Sequence, residues 1–283
     1  MTNPLSLQVG ARTLATIPRR LVRVALSLDA ALAGAAPALP ALGGADGWYV
    51  TSLPEEAVLD AAGPTWVRQR YVRRFVDLAA GEAAWRAGLS AATRAAMKRK
   101  ARKLGAANGG HIDVRCYRTR AELAVFHPLA RAVAATTYQE RLLGTALPAD
   151  AAGVVRDDAR GWLLFVGERP VAYLWCSAQG TAWRYDHVGH DPAFAALSPG
   201  AVLMEAALRD LFGGPMARFD FLEGDGQHKR TLASGGVACR DVVVLRENWG
   251  NRAALGAMRG FDGAVAAAKR VAVLRALAGR LGR

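Results

Sequence analysis

The chain has 283 residues, of which 52% are hydrophobic, 22% charged and 7% aromatic. This composition supports a buried core and excludes wholesale disorder or collagen-like order. Lys+Arg 37 against Asp+Glu 24 gives a net charge of +13, an excess that suggests an anionic partner.

The charge is unevenly spread: +4 over residues 1–24, −5 over 25–65, +9 over 66–103, −1 over 104–245 and +6 over 246–283. The longest stretch is thus close to neutral and the excess sits on its flanks. Cys116, Cys176 and Cys239 are far apart and form no paired spacing, which fits buried thiols in a reducing compartment. No apolar run of about 18 residues occurs, which argues against a spanning helix.

Residues 1–65 are weakly patterned. Arg19, Arg20 and Arg23 before Val24–Leu28 loosely mimic a signal peptide, but Asp29 interrupts the apolar region and Pro37 and Pro40 follow. The reading is a cytoplasmic protein, with contact at the inner membrane face a further expectation. Ala30–Gly44 reads as a linker or loose loop, and Trp48–Ser52 as a short strand. Residues 71–78 read as a strand and 82–104 as one helix, with Trp85, Leu89, Ala92, Ala96 and Leu104 on its apolar side. Arg94, Lys98, Arg99, Lys100, Arg102 and Lys103 load that helix with charge. His111–Tyr117 is a strand candidate, and Arg120–Ala135 a helix with a kink expected near Pro128.

Trp162–Val166, Val171–Cys176 and Thr181–Val188 are three apolar runs split by turn residues, as in a meander of hairpins. A helix over Ala201–Phe212, a strand over Arg218–Leu222, a short helix over Gln227–Ala233 and a strand over Asp241–Arg246 follow. The order β-β-β-α-β-α-β predicts an α+β or mixed α/β core. Residues 264–281 predict a basic amphipathic helix, with Val271, Val273, Leu274, Leu277 and Leu281 on one arc.

Ser198-Pro199-Gly200 is a helix start, with Ser as N-cap and Pro at the first helical position. Gly200 offers no side chain to obstruct a ligand, and the free N–H groups and dipole of a first turn suit a phosphate. An ordinary helix start is the plain alternative. Phe219-Asp220-Phe221-Leu222-Glu223-Gly224-Asp225 sets three acids at or just past a strand end. Lys229, the only lysine between Lys103 and Lys269, follows. The motif is either a ligand site or a solvated acidic loop with a counter-ion. Thr136, Thr137, Tyr138, Gln139, Glu140 and Arg141 could orient a polar substrate such as a sugar, or simply end a helix. His187 and His190 tempt a metal assignment, but Gly189 and Pro192 favour a turn, and no metal site is read here. His228 beside Lys229 is either a base or a surface histidine. Gly-x-Ser-x-Gly, the Walker A loop and the dinucleotide Gly-x-Gly-x-x-Gly are all absent from the sequence, which disfavours the chemistries they serve.

Three passages over roughly residues 70–245 resemble the GNAT-type acyltransferases of the CelD and FemAB-like group, found in bacterial polysaccharide and cell-wall pathways. They are the basic helix with Leu89-Ser90 and Arg94 through Leu104, then Tyr185 through Ser198-Pro199-Gly200, then Phe219–Asp225 with Lys229. Two departures stand out: His228 replaces a frequent Tyr before the Lys, and Gly226 follows Asp225 where Glu or Pro is common. The resemblance implies a GNAT-like core over 111–250, a twisted mixed sheet flanked by helices. Residues 1–110 would form an N-terminal region, a candidate degenerate second half, and 251–283 a basic C-terminal segment.

It also implies acetyl-CoA or another acyl-CoA as co-substrate, with its pyrophosphate on the amides near Ser198–Val202, and Ser198, Pro199, Gly200, Ala201 and Val202 as the cofactor-binding residues. An amine on a sugar or polysaccharide precursor would be acylated by direct transfer. Glu223 and Asp225 would be bases or amine binders, Asp220 would position the loop, and Lys229 would hold an anion or pair with an acid. Tyr138, Gln139, Arg141, Tyr185, Asp186 and His228 would contact the acceptor. Two alternatives remain open. One is FemAB-like transfer from an aminoacyl-tRNA, with the basic 66–103 segment on tRNA phosphates. The other is a non-catalytic module that binds an anionic ligand or docks on an anionic membrane through its C-terminal helix.

Overall fold

The computed structural model describes residues 5–9, 12–137, 140, 147–224 and 226–281. Its elements, in chain order, are β1 (Leu5–Val9), β2 (Arg12–Ile17), β3 (Leu21–Ala25), α1 (Leu28–Leu32), β4 (Gly47–Pro54) and β5 (Thr65–Asp77). Next come α2 (Gly81–Gly88), α3 (Ala91–Ala107), β6 (Asp113–Tyr117), α4 (Arg120–Thr136), β7 (Ala159–Val166), β8 (Arg169–Gln179) and β9 (Ala182–His190). Then follow α5 (Pro199–Leu211), β10 (Arg218–Asp220), α6 (Gln227–Leu232), β11 (Gly235–Leu245) and α7 (Trp249–Leu281). The chain divides into two compact units, one of Val72–Val237 and one of Met1–Tyr71 with Ala238–Arg283.

In the first unit β6, β7, β8 and β9 form an antiparallel meander, β9 runs parallel to β10, and β10 pairs antiparallel with the end of β5. The expected β-β-β-α-β-α-β order therefore holds, and the sheet is mixed. Side chains alternate between its two faces with the period of two that strands impose. Leu163, Phe165, Tyr173 and Trp175 point to the α4 side, where they pack with Leu123, Phe126 and Ala130. Trp162, Leu164, Leu174 and Cys176 point to the α5 side, where they pack with Val202, Leu203, Ala207 and Leu208. The sheet is thus buried on both faces, which explains why its strands read as continuous apolar runs.

The other unit holds β3 parallel to β4 and β4 antiparallel to β11. Val50, Leu53, Val242 and Val244 form one of its clusters, and Leu21, Trp66, Val243, Leu255 and Met258 another. At the irregular register around Asp241, that buried carboxylate accepts from Ser52 N at 2.9 Å, Tyr71 Oη at 3.0 Å and Gln69 Nε2 at 2.6 Å.

Several elements differ from the sequence reading. The single helix expected over 82–104 is two. Leu89 is extended, and Ser90 Oγ accepts from Thr93 N at 3.1 Å to start α3. A side-chain cap of this kind overrides the apolar spacing that runs through it. Thr119 and Glu122 form a reciprocal capping box that starts α4, and α4 continues across Pro128. The basic-then-apolar stretch after Arg19 contains β3. The basic helix expected over 264–281 is the end of a longer helix that begins at Trp249. Its apolar arc lies outside the described side chains. No described helix is long and apolar enough to cross a membrane.

Phe126 is fully buried, and a Cβ at Gly161 would come within 2.8 Å of its ring. The bare glycine lets α4 sit down on β7. Phe126→Ala is expected to lower stability by about 3–5 kcal/mol, read as a lower urea midpoint with unchanged slope.

Candidate functional site

The site begins where β9 and β10 part. Their parallel register pairs Arg218 with Ala182, Phe219 with Trp183 and Asp220 with Arg184. β10 then ends, while β9 continues to His190. Phe221 N turns away to donate to Arg74 O at 3.0 Å, and Leu222 takes φ 58°, a left-handed turn that a side chain like leucine seldom adopts. Among the described residues, no strand covers the edge of Tyr185–His190 that β10 vacates.

A buried ion pair holds this junction. Asp220 is 0% exposed and Arg73, on β5, is 2% exposed. Arg73 Nε donates to Asp220 Oδ1 at 3.1 Å, and its Nη2 donates to Oδ2. Oδ1 also accepts from Leu222 N at 2.9 Å. One carboxylate therefore ends the strand and shapes the first residues of the loop. From the other side, Lys229 on α6 donates through Nζ to Phe221 O at 2.7 Å and to Glu223 O. An ammonium with three donors suits this better than a planar guanidinium, since the carbonyls it gathers converge on a point.

Above the loop lies an aromatic cluster. The Tyr185 ring lies 6.0 Å from Phe219, 5.8 Å from Phe221 and 5.9 Å from His228, centre to centre. Tyr185 Oη and His228 Nε2 are 3.4 Å apart, a long hydrogen bond. Burial pushes the Tyr185 phenol well above its ordinary value. Partial burial of the His228 ring, and secondarily the Lys229 charge, lower His228 from its usual 6.5. At neutral pH the pair is thus a protonated phenol beside an uncharged imidazole, one group able to donate a proton and one able to accept it.

At the far end of β9, His190 meets the start of α5. Ser198 takes φ 55° and its side chain makes no cap hydrogen bond, which corrects the expected Ser N-cap. Its left-handed backbone closes the preceding 3-10 turn, with Ser198 N donating to Ala195 O at 3.0 Å. Pro199 is the first helical residue, as expected. A Cβ at Gly200 would find only the His190 ring, at 3.5 Å. From Tyr185 to His190 the strand spans roughly 16 Å at about 3.3 Å per residue. The β9 edge left by β10 therefore runs from the aromatic cluster to the start of α5.

Residues 91–230 match the family model described as an acetyltransferase (GNAT) domain. The chain carries a GNAT-type acetyltransferase domain. It is an acyltransferase by that token. The C-terminal domain of a putative lysylphosphatidylglycerol synthetase from Agrobacterium fabrum shares the fold, with a TM-score of 0.55 at 12% identity over 76% of this chain and 72% of that one. A conserved protein of unknown function from Bacteroides thetaiotaomicron superposes with a TM-score of 0.52 at 10% identity, over 71% and 70% of the two chains. FemX superposes with a TM-score of 0.48 at 9% identity, over 87% and 88%. No curated protein matches this sequence significantly.

Within the GNAT domain the structure brings together Tyr185, His228 and Lys229 above the loop that contains Glu223, with Asp220 beneath it. Ser198, Pro199, Gly200, Ala201 and Val202 form the opposite end. Asp186 turns elsewhere: its Oδ2 accepts from Ser177 N at 2.9 Å and Oγ at 2.6 Å, and its Oδ1 meets Arg184 at 3.1 Å. Tyr138, Gln139, Arg141 and Asp225 lie outside the described residues. Arg73 was missed by the sequence reading. Its only signal was an arginine within an otherwise apolar-alternating strand, and Arg74 beside it carries the same signal.

Removing Arg73 would strand a buried carboxylate. Arg73→Met is expected to destabilise the protein by about 3–5 kcal/mol, and Arg73→Met with Asp220→Leu to recover much of the loss. Chemical denaturation of both variants checks this; equal losses in the two would show that pairing is not the cause.

Proposed function

We propose that this GNAT domain transfers an acyl group, acetyl in the first instance, from acyl-CoA to an amino group of a sugar or polysaccharide precursor. The parting of β9 and β10 beside the start of α5 carries the reading. An extended thioester donor needs a channel into which its acyl end can reach, with anionic groups held at one end. The residues fit that donor: Gly200 presents its backbone N–H without a side chain, and the first turn of a 13-residue helix places a positive dipole end there. When bound, acyl-CoA supplies an activated carbonyl.

The chain's own residues supply position and proton transfer. Val202 and Pro199 are buried and anchor the helix start to the core, so its amides are pre-organised. Glu223, half-buried on the loop, holds the acceptor's ammonium before reaction. His228 Nε2, uncharged at neutral pH, takes one proton from that ammonium so that the free amine can attack; as the C–N bond forms the C–S bond breaks, and the second amine proton passes to the departing CoA sulfur. Tyr185 Oη keeps its proton and donates the long hydrogen bond to that Nε2, a place the entering amine takes over on binding. Asp220 and Lys229 touch neither reactant: they fix the loop that carries Glu223, Asp220 through Leu222 N and Lys229 through two carbonyl oxygens. No covalent intermediate on the enzyme is needed, since proximity, a hydrogen-bond donor and a proton acceptor suffice.

Isothermal titration should show saturable binding of acetyl-CoA and CoA, weakened at least about tenfold by Gly200→Leu, whose side chain would fill the approach to the first turn. No binding to the wild type at millimolar donor would overturn the reading. Turnover with purified acyl-CoA and an amino sugar is expected without any aminoacyl-tRNA; an absolute requirement for the latter would replace the donor assignment.

The His228 role has a pH signature. The base works uncharged, so kcat/KM should fall as pH drops through its pKa, which burial and Lys229 place below 6.5. His228→Gln is expected to lower kcat by about 10²–10⁴-fold and to abolish that acidic limb. A variant that keeps the limb would assign the base to another group.

A further inference from the structure

The outer face of α3 has no use in the acyl-transfer site. Lys98, Arg99, Lys100, Arg102 and Lys103 fall within six consecutive positions, and α3 contains no acid. Lys98, Arg99, Arg102 and Lys103 are exposed and Lys100 is half-buried. None of these five side chains lies within 4.0 Å of a described carboxylate. Other arginines of the same unit are matched: Arg86 with Glu82 and Glu205, Arg115 with Asp113, Arg118 with Asp210, Arg131 with Glu140, Arg156 with Asp158 and Arg169 with Asp191. Among the described residues, α3 thus carries a dense run of cations without a carboxylate within ion-pair distance. It is also held against a local cost, because Lys98/Arg102 and Arg99/Lys103 are like-charged i,i+4 pairs, a spacing that weakens a helix.

The side chains between the cations narrow the partner. Met97 and Leu104 turn inward to the core. Residues 94–107 otherwise add only Ala and Gly, with no aromatic and no hydroxyl or amide side chain. Such a face has no platform for stacking bases and no short polar groups to set register on a sugar-phosphate backbone. It also lacks large apolar residues that would wedge into acyl chains. What remains is a rigid row of cations beside small residues, able to approach a charged plane closely. A helix-borne cluster of four to eight Lys/Arg is the pattern that anionic headgroups attract. We propose that α3 docks the protein peripherally on an anionic phospholipid surface. The contact is electrostatic, and it stands on the charge pattern alone, independently of the acyl-transfer reading.

Flotation of the full chain with phosphatidylcholine/phosphatidylglycerol vesicles, and with phosphatidylcholine alone, tests this. Binding is expected only to the anionic vesicles and should be lost at high salt. The variant Lys98→Gln, Arg99→Gln, Arg102→Gln, Lys103→Gln should bind at least about 100-fold more weakly, and each single substitution about fivefold more weakly. Lys98→Arg with Lys103→Arg should bind as the wild type does. Three results would overturn the proposal: equal binding to neutral vesicles, a Gln series that binds like the wild type, or displacement from vesicles by duplex RNA at lower concentration than by phosphatidylglycerol. The single substitutions keep the test sharp if the fourfold variant does not fold, and retained acetyl-CoA binding in them separates this failure from failure of the donor assignment.

Discussion

Arg73 and Asp220 meet in the core of the GNAT-bearing unit, and the geometry of the site depends on that meeting. An isolated carboxylate at this depth would be strongly disfavoured. Paired in two hydrogen bonds with a guanidinium, and with one oxygen also accepting from Leu222 N, it becomes a fixed point. It stands on the last residue of β10, where parallel pairing with β9 stops. The strand end, the left-handed turn at Leu222 and the course of the loop toward Glu223 all follow from one satisfied charge. A buried pair of this kind adds little net stability compared with a hydrophobic replacement; its value lies in specifying where a strand ends.

The rest of the site is arranged around that end. Lys229 gathers two loop carbonyls, and so holds α6 against the loop. This brings His228 over the Tyr185 ring. An imidazole at this position can be uncharged and proton-accepting at neutral pH, where a tyrosine would hold its proton. Tyr185, packed among Phe219, Phe221 and His228, is held protonated by burial. At the other end of β9 a glycine and a proline open α5 beside His190, and Ser198 shapes the turn through its backbone rather than through its hydroxyl.

Much of the fold was legible in the chain. β7, β8 and β9 were visible as apolar runs split by Gly167 and Gly180 because a sheet covered on both faces needs apolar side chains on both. α5 and α6 were visible from Pro199 and the helical spacing that follows. The division at Ser90 was written locally as an N-cap, but apolar positions in register across it masked the break. Of the site, the loop motif and the Ser198–Val202 turn stood out because tight backbone conformations demand particular residues. Arg73 did not, since nothing in its neighbourhood distinguishes it from Arg74. Nor did the split of functions within the acidic motif, where Asp220 is buried and Glu223 half-buried although both read alike as acids at a strand end.

The +13 balance shows the same division. Its concentration over residues 66–103 is a property of the amino-acid order, as are the strand runs, the helix caps and the single lysine after the acidic loop. Local rules of burial, turn geometry and capping write these directly into neighbouring residues. Only the tertiary structure decided which charges are matched. It neutralises Arg73 with a partner 147 residues away, and it leaves Lys98 through Lys103 facing outward without a counter-ion. It alone also set where β9 and β10 separate and which rings stand over the gap. The reason is physical: the partner of a buried charge depends on strand register between distant segments, and that register is a property of the assembled sheet.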